Sequence, residues 1–592
     1  RKNLIMAKRT LSFALTAFML LAMLASCASN PNANYSHSSM PAHAEAVSND
    51  ELNIKAMDAS VYAPTSDLLY AVIEGELSGK LGDLEASRQY YSQALDLTDD
   101  PDIIERAMRV AIYAKDWTQA LYAAERWAAV QPDRIEAQQV LGVLNLSIDN
   151  VDEAEKNFLK VMQAASDSPR QGFAIVMSTL TQVKNVESSL VLMQRLVSQY
   201  FTSAYGHLAY ANLAMGAGKY RLAVDESELA LGFNPELTKA RILRARALNA
   251  LGDHELALKD MQTLVERQPE NYEQRMGYAQ MLLQASRYSE AAEQFTVLLE
   301  MRPEEMNIVY LLGLTYVQAQ EYQKGQYYFQ ILVDKNRRLD ESYYYLGMIA
   351  EELGDLALAQ TMLLEVAFGE WYLEASMRLA DLYYQTQGVN KAREHLKSVR
   401  EDLNDVANVV RMYLAEGNLL HKKKHHQQAY EVYSQGLLEF PKHFDLLYAR
   451  AIAADALDQI ALFEADMRAI IEADPKHVDA LNALGYTLVN RRLKIPEAKN
   501  FIEKAYSLRP QDPAIIDSMG WLHFRLGNYR ESESFLRNAI DKMYDAEIVG
   551  HLVEVLLTTG RQREANDLLQ QARERFPEDD YLQALEQGVS SQ

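Results

Sequence analysis

The stretch that decides the fold is Asp479–Pro510, DALNALGYTLVNRRLKIPEAKNFIEKAYSLRP, which runs directly into Gln511–Asn528, QDPAIIDSMGWLHFRLGN. Leu481, Leu484 and Leu488 recur at steps of three and four, which places them on one face of an α-helix. Gly485 lies beside that stripe. A second helical pattern follows, with Ala498, Ile502 and Ala505 on one face, and it stops at Pro510. Proline ends a helix because it lacks the amide hydrogen that an interior turn needs. The second stretch starts the same pattern again, with Ile516, Met519 and Gly520. The small residues let two helix backbones approach closely, and the large ones fill the space between them. One such pair cannot bury its own apolar face, so the pattern calls for a stack of neighbours.

The pattern recurs outward from this stretch. The small or medium residue at position eight falls at Gly75, Met108, Gly142, Met177, Ala211, Ala245, Ala279, Gly313, Gly347, Ala380, Gly417, Ala451, Gly485, Gly520 and Val553, which makes fifteen units. Successive spacings are 33–35 residues, except for 37 between Ala380 and Gly417, which places extra residues near Arg400–Asn408. Position twenty supports the register, with Ala120, Ala154, Ala223, Ala257, Ala291 and Ala498 among its residues. Gly-Asp or Gly-Asn pairs recur inside the units, as at Gly82-Asp83 and Gly527-Asn528, and mark turns between paired helices. The period and pattern resemble the tetratricopeptide repeat (TPR). The resemblance implies an all-α fold, a TPR α-solenoid superhelix of about fifteen helix-turn-helix repeats. The fourth unit, around Phe173–Leu196, fits the pattern weakly. In the twelfth, Phe463 replaces the small residue and is expected to wedge the pair apart or change the local curvature.

The other end of the chain reads differently. Lys8 and Arg9 precede a short apolar run, Leu11–Leu24, with Met6 as the expected start. Then come Leu24-Ala25-Ser26-Cys27, and Cys27 is the single cysteine of the chain. One cysteine excludes an internal disulfide and any multi-cysteine metal site. The segment resembles the lipobox of bacterial lipoproteins. That resemblance implies a signal peptide over 1–26, lipid attachment at Cys27, and a lipid-anchored flexible tether over 27–60. Acyl chains contribute about 0.8 kcal/mol per buried methylene, so several would hold the chain on a membrane. Ala28 and Ser29 follow the cysteine where an aspartate would favour inner-membrane retention. The expected location is therefore the outer membrane of a Gram-negative bacterium, on its periplasmic face. The repeats divide into an N-terminal array over 61–400 and a C-terminal array with a capping helix over 401–592.

Net charge is −23, from 82 acids and 59 bases, which argues against nucleic acid as the main partner, since phosphate binding needs a basic footprint. No phosphate-cradling glycine loop, nucleophile elbow or HExxH zinc motif occurs, so no catalytic residue, cofactor or metal is assigned and the chain is read as a non-enzyme. The one tempting cluster is His421-Lys-Lys-Lys-His425-His426. His421 and His425 have a helical ligand spacing, but three adjacent lysines would repel a cation. A solvated basic turn is the expected reading.

The TPR resemblance also implies where a partner binds: the concave face, lined by positions two, five, nine, twelve and thirteen of the first helices. The last complete units place Asn482, Tyr486, Asn490, Asp517, Trp521, Phe524 and Arg525 there. Mid-chain units place Tyr310, Tyr344 and Tyr384 there, with packing against a neighbouring repeat as the alternative. Amides can bond an extended backbone, and aromatic rings supply contact area. Leu481–Gly485, Asp512–Trp521 and Glu547–Glu554 further resemble the C-terminal repeats of a proteobacterial family. Those proteins are TPR outer-membrane lipoproteins that bind and activate a periplasmic carboxyl-terminal processing protease, which degrades cell-wall cross-link hydrolases. The resemblance implies an adaptor that recruits and activates that protease and brings its substrates to it. A TPR lipoprotein for envelope assembly, serving polysaccharide export or outer-membrane protein insertion, would show the same features.

Overall fold

The computed structural model describes residues 65–590, except 166, 167, 182 and 368. The signal-peptide, tether and Cys27 readings lie outside the described residues. Among the described residues there are thirty-one α-helices and no strand. Thirty form fifteen consecutive hairpins, from Ser66–Lys80 with Leu84–Leu97 to Ala546–Thr558 with Gln562–Arg575, and Asp580–Ser590 follows them. The all-α hairpin array and its count are those expected from the 34-residue period. No described helix is long and apolar enough to cross a membrane. The chain packs as two compact units, which divide between Glu304 and Glu305.

Local chemistry explains the hairpins. Gly82, Gly252, Gly354 and Gly527 all have φ between 81° and 87°, the left-handed conformation that closes a first helix. After Gly82 and Gly354 the next residue then caps the second helix with its side chain. The Asp83 carboxylate accepts the Ala86 amide at 3.0 Å, and Asp355 accepts Leu358 at 3.0 Å. Each such cap contributes roughly 1 kcal/mol.

The small residue at position eight has a measurable reason. A Cβ on Gly485 would lie 2.5 Å from Ile502 Cγ1, and one on Gly520 would lie 2.7 Å from Leu536 Cγ. The second helix lays a large side chain directly on the backbone of the first. In the C-terminal compact unit, Leu484, Leu488, Ala498 and Ile502 are fully buried in one cluster with Ala451, Phe463 and Met467. Phe463 is itself 0 % exposed. The facing helix, Phe444–Ala456, turns Ala451, Ala453 and Ala454 into the same core.

The long spacing has a simple origin. Leu356–Leu364 is a short second helix of 9 residues, and the first helix after it, Glu370–Gln387, has 18. The next first helix, Val406–Lys422, has 17 residues instead of the usual 13. Asp405 caps it by accepting the Asn408 amide at 2.9 Å. The extra residues near Arg400–Asn408 therefore lengthen the start of a helix. The compact units divide earlier, at 304, than the sequence division at 400.

Candidate functional site

Three successive first helices, Val478–Asn490, Pro513–Arg525 and Ala546–Thr558, carry the C-terminal cluster. Repeat spacing brings position nine of each into register as Tyr486, Trp521 and Glu554. The centre is His551, which is 2 % exposed. Its ring stacks on Trp521 at 4.0 Å between centroids, and its Nδ1 lies 2.9 Å from Asp517 Oδ1. On the other side, His551 Nε2 lies 3.3 Å from the Tyr486 hydroxyl, which donates to Glu547. Tyr581, from the last helix, donates to Glu554 Oε1 at 2.7 Å and presents its ring to His551.

The chemistry of this cluster is that of a rigid polar wall. Burial, helped by the charge of Glu547, pushes the Tyr486 hydroxyl well above its usual range. Tyr581 is pushed up for the same first reason, with Glu554 as its acceptor. Both phenols stay protonated at neutral pH and act as donors. Asp517 is 6 % exposed and faces His551, so its carboxylate is taken up inside the protein.

The residues named from the sequence therefore divide by what they touch. Asn482, Tyr486, Asn490, Asp517, Trp521, Phe524 and Arg525 come together on adjacent helices. Trp521 is only 2 % exposed, so its ring is the floor of the cluster and offers a partner little contact area. Its indole donates to Asn490 Oδ1 at 3.3 Å. Phe524 stacks beside Trp521 at 4.9 Å, and the Arg525 guanidinium lies 4.4 Å from the Trp521 ring. Burial, then the nearby charge of Arg492, lowers the pKa of Arg525. Asn482 Oδ1 and Arg525 Nε are buried with no hydrogen-bond partner.

The mid-chain tyrosines lie elsewhere in the same unit, Tyr310 buried and Tyr344 and Tyr384 half-buried against neighbouring side chains. Tyr310 is 4 % exposed and meets Phe329 and Tyr345 edge-on at 6.0 and 6.3 Å. Tyr344 leans on Trp371 at 4.9 Å. The Tyr384 hydroxyl lies 3.2 Å from His425 Nε2, and the Lys423 ammonium lies over its ring. His421 turns instead to His426, with 3.1 Å between their Nδ1 atoms. The two histidines with helical ligand spacing thus take different partners. No group of three or more metal-ligating side chains occurs among the described residues.

Sequence reasoning named Glu547–Glu554 only as a stretch of resemblance and gave His551, Glu547, Glu554 and Tyr581 no place in the site. Glu547 and Glu554 occupy positions two and nine of the fifteenth first helix, so the positional rule carried one unit further would have found them. His551 occupies position six, which the rule assigns to neither packing nor the groove. Tyr581 lies in the helix beyond the repeats.

Two stretches match family models of the tetratricopeptide repeat, residues 242–305 and 73–101. The chain is also 36% identical over 490 residues to the TPR repeat-containing protein PA4667 of Pseudomonas aeruginosa, covering 83% of this chain and 82% of that protein. The chain belongs to this family of TPR proteins. Among solved structures it is similar to yeast Tom70, at 12% identity and a TM-score of 0.35, covering 88% of this chain and 96% of that one. It is also similar to TTC0263, a TPR protein of Thermus thermophilus, at 20% identity and a TM-score of 0.29, covering 31% of this chain and 99% of that one. Both family models describe the tetratricopeptide repeat, whose stacks form protein-binding scaffolds that are typically non-catalytic.

Proposed function

We propose that this chain is a lipid-anchored periplasmic scaffold that binds proteins through the first helices of its C-terminal repeats. In this reading it recruits a carboxyl-terminal processing protease and that enzyme's cell-wall hydrolase substrates to the outer membrane, and switches the protease on. The observation that carries the binding role is the pair of buried, unpartnered polar atoms, Asn482 Oδ1 and Arg525 Nε, on a wall otherwise satisfied internally. Such atoms cost free energy until a donor or acceptor reaches them. A backbone amide and a carboxylate would meet those needs. The protease and the lipid anchor rest on the sequence resemblances at Leu481–Gly485, Asp512–Trp521, Glu547–Glu554 and Cys27.

The test is affinity purification from solubilised envelopes, with the parent chain and Phe524→Ala/Arg525→Ala side by side. The reading expects a protease with the parent and much less with the variant. Recovery of export or insertion machinery without a protease would replace it with the envelope-assembly reading.

A further inference from the structure

A second surface lies in the N-terminal unit, far along the chain from the cluster above. The first helices Pro169–Leu180, Ala204–Gly216 and Thr238–Ala250 line a groove of about 540 Å3. Its floor is largely apolar, with Ala174, Leu208 and Ile242, and no acidic residue among the described ones lines it. Those three helices contain no Asp or Glu at all, in a chain with 82 acids and a net charge of −23. Of the other first helices among the described residues, Met306–Gln318 alone shares that absence, and no other run of three does.

The last of the three helices shows how the charge is arranged. TKARILRARALNA carries four cations. Arg241 and Arg244 face the next helix and are both bound by Asp260, at 3.3 and 2.6 Å, where Asp260 is 3 % exposed. Lys239 and Arg246 lie seven residues apart on the other face, with Ile242 between them, and both are exposed. Neither has an ion-pair partner among the described residues. Across the groove the exposed Arg170 guanidinium lies over the Tyr205 ring at 5.2 Å, also without a carboxylate partner among the described residues. Asn212, in the middle helix, exposes its amide to the same space. The packing cations of this helix are neutralised and the groove cations are not.

From this charge complementarity we infer that the groove binds an extended acidic segment of a partner protein, one whose carboxylates alternate with apolar side chains. Apolar side chains would cover Ala174, Leu208 and Ile242. Carboxylates would reach Arg170, Lys239 and Arg246, and the Asn212 amide would bond the backbone between them. The inference rests on the reading of the chain as a protein-binding scaffold and names the chemistry that a second site selects.

The test uses the full chain and a fluorescein-labelled peptide of alternating glutamate and leucine, followed by fluorescence anisotropy. A glutamine–leucine peptide and phosphatidylglycerol vesicles are compared in parallel. The expected result is at least about tenfold tighter binding of the glutamate peptide than of its glutamine counterpart, weakening as salt rises. Lys239→Glu/Arg246→Glu is expected to lose at least about tenfold with unchanged helical circular dichroism, because neither side chain has a partner to lose. Lys259→Glu, an exposed cation on the second helix of that hairpin, is expected to bind as the parent does. Equal binding of the two peptides, undiminished binding by the double variant, or a loss confined to the vesicles would overturn the inference. If peptide binding fails while parent and double variant still capture the same envelope proteins, the groove inference falls and the scaffold reading stands. If neither chain captures any protein, the scaffold reading fails on its own.

Discussion

At the scale of the residue, the repeat depends on what a single Cβ would meet. Gly485 and Gly520 lie under Ile502 and Leu536 with no space to spare. Gly485→Val is therefore expected to destabilise the C-terminal unit by about 2 kcal/mol or more, read as a lower urea midpoint. A substitution at an open, exposed site such as Lys259 is expected to leave the midpoint unchanged. Trp521 shows the limit of the positional rule. Position nine faces the groove, and from the sequence alone Trp521→Ala combined with Asn490→Ala reads as a variant that weakens binding without unfolding the chain. In the structure the indole is buried against His551, so its truncation is expected to cost roughly 3–5 kcal/mol, checked by chemical denaturation. Phe524→Ala and Arg525→Ala are the better probes, because both side chains remain partly exposed. The glycines were legible because close packing restricts a position to one residue type. The role of Trp521 was not, because it depends on a histidine in the next repeat that no spacing rule selects.

At the scale of the element, adjacent hairpins are tied by ion pairs across their second helices. Arg468 donates to Glu497 at 2.8 Å and to Glu464 at 2.7 Å, and Lys494 reaches Glu464 at 2.6 Å. The basic turn at Arg491–Pro496 is thus matched by acids of the preceding repeat, with Arg491 on Asp455 at 2.7 Å as a further link. The Arg468 guanidinium holds the Glu497 carboxyl below its ordinary value of 4.5. A lowered folded pKa means that the stabilisation is present above the unfolded value and is lost as pH falls through the folded one. Glu497→Gln is therefore expected to lose less stability than the parent between about pH 5 and pH 3, measured by thermal melts across that range. The helix count and order were legible because each element repeats one apolar stripe. The lengthened helix Val406–Lys422 was legible only as an anomalous spacing, since a longer helix and a longer loop add the same residues to the count, and Glu370–Gln387 was not legible at all, because the short helix Leu356–Leu364 before it keeps the spacing regular.

At the scale of the whole molecule, the proposed function has the chain grip other proteins on its first helices and holds it to lipid at Cys27. The anchor predicts that Cys27→Ser moves the chain from the membrane to the soluble fraction while its helical circular dichroism is kept; retention in the membrane would remove the lipid from the account. The repeat architecture was legible in full, because a period sampled fifteen times averages out the weak units. The partner was not, because the residues that hold one are those left free by packing, and packing is what the period reports. The most direct measurement is calorimetric titration of the purified chain with the protein recovered alongside it. The account predicts saturable binding that Phe524→Ala/Arg525→Ala weakens at least about tenfold, with fold and stability retained. Undiminished binding by that variant, or hydrolytic activity in the purified chain free of any partner, would contradict it.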